Sequence, residues 1–234
     1  RLTFRDRVKE MLVPGVYEAP SFIDVPFEGE IKLPSYAAKN QLMHAPMKLH
    51  IGKNGEFKVD LDGANKWGYH SFNCPPSAMQ GALWVQLTQT LIPNDKINDG
   101  AYFATECNLP LGSWSNPGNE TLSTTLSWLF LIPSFTGMIR SLGRAYQARG
   151  YVEEISAGYP GTWNLTMGGG VNHFGVDTAF TSFEHSSQGT GAGFIKDGEG
   201  TTSAMWNPEG DMGDIEAWEP LEPLLYLGRR IKPN

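Results

Sequence analysis

Apolar residues change their spacing twice along these 234 residues, and that change constrains the fold more than any single motif. Residues 16–46 show little periodicity, and over Leu49–Leu61 apolar positions alternate with polar ones, as in strands. From 76 to 150 they recur every third or fourth residue, as in helices, and from Tyr159 onward the alternation returns. Strand-rich, helical and again strand-rich blocks in that order predict an α+β fold, not the regular βαβ alternation of a parallel α/β domain. No internal repeat is present.

Local signals sharpen the three blocks. Phe4–Met11 reads as the tail of a helix closed by Pro14-Gly15, and residues 16–46 read as extended segments and loops. Leu49 and Ile51 alternate on one side of Asn54-Gly55, and Phe57, Val59 and Leu61 on the other. That is a β-hairpin pattern, because Asn-Gly accepts the positive φ values of a type I′ turn. Ser77 with Gln80 three positions on predicts a capping box, followed by the stripe Met79, Leu83, Leu87, Leu91 and a stop at Pro93. A second helix is expected from about Thr121 to Leu131. A third is expected after Pro133-Ser134, burying Phe135, Met138, Ile139, Leu142 and Tyr146 and ending at Gly150 in a left-handed conformation. Arg140, Arg144 and Arg149 then form a solvated face near its C-terminus. Trp163–Met167 and Val176–Phe183 read as strands, with Ile215–Trp218 and Leu224–Leu227 as closing strands.

Composition narrows the function classes. The net charge of −7 and the absence of clustered Lys or Arg argue against nucleic acid and against an anionic membrane surface. Charged residues are 18 % of the chain, below the roughly 25 % of average soluble domains. The low charge and seven Trp imply surfaces covered by other chains. Cys74 and Cys107 show no CxxC and no zinc-finger spacing, so they read as reduced thiols of a cytoplasmic protein. The first dozen residues are charged throughout, unlike a signal peptide, and the chain starts without Met, so an internal piece of a longer polypeptide is expected. Cys74–Asn94 and Thr121–Ile139 are long enough to test as membrane spans. Gln and Pro in the first, and Pro133 with Ser and Thr in the second, mark both as buried or interface helices.

Candidate chemistry is sparse. His173 follows the triple glycine 168–170, and Glu184-His185 precedes a second glycine cluster, with Asp177 between them. His173, Glu184 and His185 are therefore the candidate catalytic residues, as metal ligands or acid–base groups, although no tight ligand spacing such as HExxH accompanies them. The stretch Ser186–Gly200 has the glycine density of an anion-binding loop but lacks the GK[ST] ending of a P-loop. A tight turn is the better reading. The acidic run Glu209–Glu219 reads as a solvated loop.

The late chain carries a longer pattern. It contains Phe183-Glu-His, Gln188-Gly-Thr-Gly-Ala-Gly193, Lys196-Asp-Gly-Glu-Gly200, Asn207, Asp214-Ile-Glu-Ala-Trp-Glu219 and Pro223 through Arg229-Arg230 to Pro233. Upstream stand Val59-Asp-Leu-Asp-Gly63, Asn73-Cys-Pro75 and Trp163–Gly169. This succession resembles the hydantoinase B/oxoprolinase family, and its Trp- and Pro-rich version is most similar to the large (alpha) subunits of the family's ketone carboxylases. The pattern along the chain predicts Gly-rich β structure flanking a central group of three helices, and the resemblance places it as a single fragment of a larger subunit. Its parts are a β-rich entry at 1–75, a helical segment at 76–150 and a Gly-rich β segment at 151–234. The resemblance further implies a cytoplasmic, heterohexameric, ATP-dependent ligase that joins acetone and bicarbonate into acetoacetate through phosphorylated intermediates. A kinase-like partner subunit would hold ATP and Mg. Manganese would sit in the parent subunit, on ligands upstream of this stretch, so no metal ligand is carried over to a residue here. Two alternatives are an ATP-dependent hydantoinase or oxoprolinase-type lactam hydrolase, and a non-catalytic scaffold segment that mediates assembly. Neither nucleic acid nor membrane is an expected partner.

Overall fold

A computed structural model describes residues 2–25, 40–70, 72–92, 99–103, 105–118, 128–155, 166–182, 191–198 and 215–228. The chain divides into two compact units, one formed by Arg1–Gly161 with Gly189–Glu199, the other by Thr162–Gln188 with Gly200–Asn234. Helices and mixed sheets together make an α+β fold.

The first unit is built on a four-stranded sheet in the order β1-β4-β5-β6, comprising β1 (Gly15–Glu18), β4 (Lys48–Ile51), β5 (Phe57–Asp60) and β6 (Thr105–Asn108). β1 with β4 and β4 with β5 are antiparallel, whereas β5 and β6 run parallel. A parallel pair needs a crossover, and helix α2 (Pro76–Leu91) lies within that connection. β2 (Ser21–Val25) and β3 (Gln41–Ala45) form a separate antiparallel pair.

Side chains alternate across the sheet. Leu49, Ile51, Phe57 and Val59 are buried on its inner face. Helix α1 (Leu2–Met11) adds buried Phe4 and Val8, and Phe4 meets Phe57 edge-on at 5.8 Å and Tyr102 at 6.2 Å. The predicted stripe Met79, Leu83, Leu87 and Leu91 is buried along α2. Each such side chain contributes roughly 1.5–3 kcal/mol on leaving water.

The hairpin is present, with Leu49 opposite Val59 and Ile51 opposite Phe57, but its turn differs from the type I′ expected. Only Gly55 takes a positive φ (79°), Gly55 N–H donates to the Gly52 carbonyl (3.2 Å) and Gly52 N–H to the Glu56 carbonyl (2.8 Å). That is a type I-like turn closed by a glycine bulge, which needs one left-handed residue and not two. A Cβ on Gly55 would also lie 2.4 Å from the Arg5 carbonyl oxygen, so α1 packs directly onto this turn.

Helix boundaries show two further differences. Pro75 is the N-cap of α2, Pro76 occupies its first turn and no side chain caps it, so Ser77 lies inside the helix. Proline suits this position because its missing N–H would have no intrahelical partner there. The two helices expected on either side of Pro133 are one helix, α3 (Trp128–Arg149), with Pro133 inside it; residues 119–127 lie outside the described residues. Pro133 costs one backbone hydrogen bond near the start of the helix. The buried run Leu131, Phe135, Met138, Ile139, Leu142, Ala145 and Tyr146 outweighs that loss. Gly137 allows the close approach, since a Cβ there would lie 2.9 Å from Met47 Cβ. The helix ends as predicted at Gly150 (φ 95°), with Gly150 N–H bonded to Gln147 O and Tyr151 N–H to Tyr146 O, a Schellman pattern. The exposed arginines also clamp: Arg149 donates to the carbonyls of Lys9 and Leu12 at the end of α1, and Arg144 to that of Glu18.

In the second unit β7 (Thr166–Val171) pairs antiparallel with β8 (Asp177–Ser182). Trp163–Leu165 and Phe183 lie outside the described residues. Ile215–Trp218, expected as a strand, is a single helical turn, α4, with Glu219 N–H on the Ile215 carbonyl (2.9 Å). Leu224–Leu227 is not a strand either. Pro223 removes a ladder donor immediately before it, and Tyr226 N–H is taken by Glu219 Oε1 (2.7 Å).

Candidate functional site

The outward face of the four-stranded sheet gathers two rows rich in polar groups. Cross-strand register puts Val16, His50, Lys58 and Glu106 in one row, and Glu18, Lys48, Asp60 and Asn108 in the next. Asp60 is the hub. Its carboxylate accepts from Asn108 Nδ2 (2.7 Å) and Asp62 N–H (2.9 Å), with His50 Nε2 and Lys58 Nζ each at 3.5 Å. Burial would raise the Asp60 carboxyl, but the Asn108 hydrogen bond, the Asp62 N–H and the Lys58 ammonium outweigh it and hold it below the usual range. The neighbouring Cys107 thiol, on the inner face, is pushed up to about 12 by burial and by the Asp60 charge, so it stays protonated and unreactive. Beside the hub lies a groove of about 440 Å³, lined by Arg5, Val16, His50, Lys58, Phe103 and Glu106 among others. Ammonium and guanidinium groups at one cleft can bind anions, and an imidazole beside them can move protons.

At the end of β5 the chain enters a loop cluster. Gly63 turns it at φ 94°, and the His44 ring lies 3.2 Å from the Gly63 carbonyl through Nδ1. His44 N–H donates to Asn65 Oδ1 (2.5 Å), and fully buried Trp114 donates from Nε1 to the His44 carbonyl (2.9 Å). Buried Asn73 organises the segment before α2: Oδ1 accepts Gly68 N–H (3.1 Å), and Nδ2 donates to the carbonyls of Gly68 (2.9 Å) and His70 (3.0 Å). His70 is buried too, accepts Phe72 N–H at Nδ1 (3.2 Å) and stacks on the Phe72 ring. Burial drives its pKa down to about 4, so the ring is neutral at pH 7.

Of the candidate residues chosen from sequence, His173 sits exposed in the Asn172–Val176 turn between β7 and β8, edge-on to Phe174 at 5.6 Å. The turn is held by Asn172 Oδ1, which accepts N–H bonds from Phe174 and Val176 (both 3.0 Å). Glu184 and His185 lie outside the described residues. His50, Lys58 and Asp60 were missed as a group. Their signal was the hairpin itself, because register across Asn54-Gly55 puts them on one face. Among the described residues no group of three or more His, Cys, Asp or Glu side chains could hold a metal ion, and none is assigned as a manganese ligand. Cys74 and Cys107 are free thiols. No helix among the described residues is long and apolar enough to cross a membrane. Phe194–Lys196 bend, with Gly193 N–H on the Lys196 carbonyl (3.0 Å) closing a tight turn.

The hydantoinase B/oxoprolinase family matches residues 3–234, and the chain belongs to it. Within the family it is similar to the acetone carboxylase alpha subunit of Xanthobacter autotrophicus, with 44 % identity over 236 residues, covering 100 % of this chain and 30 % of that relative. A nucleotide-free structure of acetone carboxylase, from work on the mechanism of ATP-dependent acetone carboxylation, superposes with a TM-score of 0.89 at 44 % identity, over 99 % of this chain and 30 % of that one. The ATP-dependent caprolactamase of Pseudomonas jessenii shares the fold, with a TM-score of 0.65 at 14 % identity over 94 % of this chain and 36 % of that one. The chain thus spans about a third of the length of these relatives.

Proposed function

We propose that this chain forms part of the large subunit of an ATP-dependent ketone carboxylase, which joins acetone and bicarbonate into acetoacetate through phosphorylated intermediates. The observation that carries the reading is 44 % identity to an acetone carboxylase alpha subunit along the whole chain. In this reading the parent subunit works in a cytoplasmic hetero-oligomer. A kinase-like partner binds ATP and Mg, and manganese belongs to the parent subunit outside this stretch. When bound, the metal supplies Lewis-acid stabilisation of an enolate oxygen. The residues described here supply framework: the Asp60 hub fixes the sheet face, and the Asn73 loop sets the entry of α2.

The test is an assay of the purified full-length subunit with its partner subunits, in which ATP hydrolysis must depend on both acetone and bicarbonate and acetoacetate must accumulate. Hydrolysis of a lactam or hydantoin with no need for bicarbonate would replace this reading with the hydrolase of the same family. The two chemistries differ in whether water is shut out of the intermediate's site or admitted to it.

A further inference from the structure

We propose that the groove on the outward sheet face binds a small monocarboxylate, anchored by Arg5, with its apolar tail against Val16 and Phe103. The contact of α1 with the Gly55 turn fixes Arg5 at the groove wall. Its Nε is buried and has no hydrogen-bond partner. A guanidinium cannot shed its proton, and a buried charged donor without an acceptor is costly. An oxyanion entering the groove supplies that acceptor.

The remaining lining sets the ligand class. Lys58 and His50 share the groove, and both are steadied by Asp60 Oδ2 at 3.5 Å, which leaves two further Lys58 N–H donors for a ligand. Glu56 also lines the groove, but its carboxylate is occupied by the Asn54 N–H (2.9 Å) and side-chain amide (3.1 Å). Glu106, exposed and opposite Lys58, closes the far side with negative charge. Glu56 beside Arg5, Asp60 on Lys58 and Glu106 opposite Lys58 more than offset the two cations, which disfavours phosphates or nucleotides, since these carry more than one negative charge. Val16 and Phe103 are 57 % and 71 % exposed and give an apolar wall beside the cations. This proposal does not depend on the carboxylase reading.

Butyrate is the probe, with inorganic phosphate as the competing anion. Saturation-transfer NMR on the full-length subunit in its complex should give saturable butyrate binding that phosphate does not displace. Arg5→Met should weaken it about tenfold or more, the worth of a charge-assisted hydrogen bond. Phe103→Ser, at an exposed side chain, should cost less and serves if Arg5→Met does not fold. Butyrate soaked into crystals of the complex should place its carboxylate on Arg5 Nε. The proposal fails if binding is not saturable, if phosphate binds more tightly, if Arg5→Met and Phe103→Ser both bind as well as the parent, or if a carboxylate from another part of the full-length chain already occupies the groove.

Discussion

The neutral state of His70 makes the loop before α2 acid-labile by an amount that can be worked out. The ring is 6 % exposed and stacks on Phe72 at 5.4 Å. Gly68 makes room for it, since a Cβ there would lie 2.5 Å from the ring Cδ2. Protonation is disfavoured in the fold, with a pKa of about 4 against an ordinary 6.5. The unfolded loop therefore binds the proton first as pH falls. Stability is fully present above pH 6.5, falls through the window from 6.5 to 4, and levels off below the folded pKa. At 1.36 kcal/mol per unit, the loss from pH 7 is about 2 kcal/mol by pH 5 and about 3 kcal/mol by pH 4. Hydrogen exchange of the peptide covering residues 66–75 in the intact polypeptide reads this as local opening. After correction for intrinsic exchange, protection should fall about twentyfold between pH 7 and 5, and His70→Gln should flatten most of that fall. Equal pH dependence in parent and His70→Gln would refute the buried neutral imidazole.

Other outcomes follow from single contacts. Gly55→Ala forces a left-handed alanine, costing at least about 1–2 kcal/mol, and drives its Cβ into the Arg5 carbonyl, so urea unfolding should show a lower midpoint; an unchanged midpoint would remove the bulged turn. Asn73→Ala strips hydrogen bonds from Gly68 N–H and from the Gly68 and His70 carbonyls, at roughly 1–3 kcal/mol for each buried group left unsatisfied. Exchange should rise first at residues 66–75, and a uniform change across the chain would contradict the local role. Cys107, with its thiol pushed up to about 12, should resist iodoacetamide at pH 8 until the protein is denatured, and rapid native labelling would show that the thiol is neither buried nor suppressed by Asp60.

What the sequence made legible was whatever depends on short-range period. The hairpin register and the α2 stripe are set by side-chain spacing over a few residues, and Gly150 by one backbone conformation. What it hid depends on partners far away. Nothing near Pro133 announces that the helix continues through it, because the compensating burial comes from residues more than 80 positions upstream that flank strands, as at Met47 and Ala19 against Gly137. Nothing local marks β6 as the parallel partner of β5, since Val59 and Cys107 meet only once α2 has been laid down between them. Ile215–Trp218 looked strand-like from its apolar ends, but four residues beside Pro220 and Pro223 close one helical turn at less cost than a strand with missing donors.

The same contrast bears on where chemistry belongs. The residues behind the family resemblance at Asp60–Gly63 and Asn73–Pro75 do structural work among the described residues. Asp60 ties β5 to β6 through Asn108, Gly63 turns the chain, and Asn73 satisfies three backbone groups before α2. A carboxylate and an amide can be indispensable to a fold in this way without touching a substrate. A motif match in this stretch is therefore evidence of shared architecture first. The groups with spare donors, Arg5 and Lys58, stand outside that pattern, on a helix and an outward strand position where backbone register and not loop chemistry fixes them. Loss of fold on changing Asp60 or Asn73, set against loss of ligand with fold intact on changing Arg5, would separate the two kinds of residue.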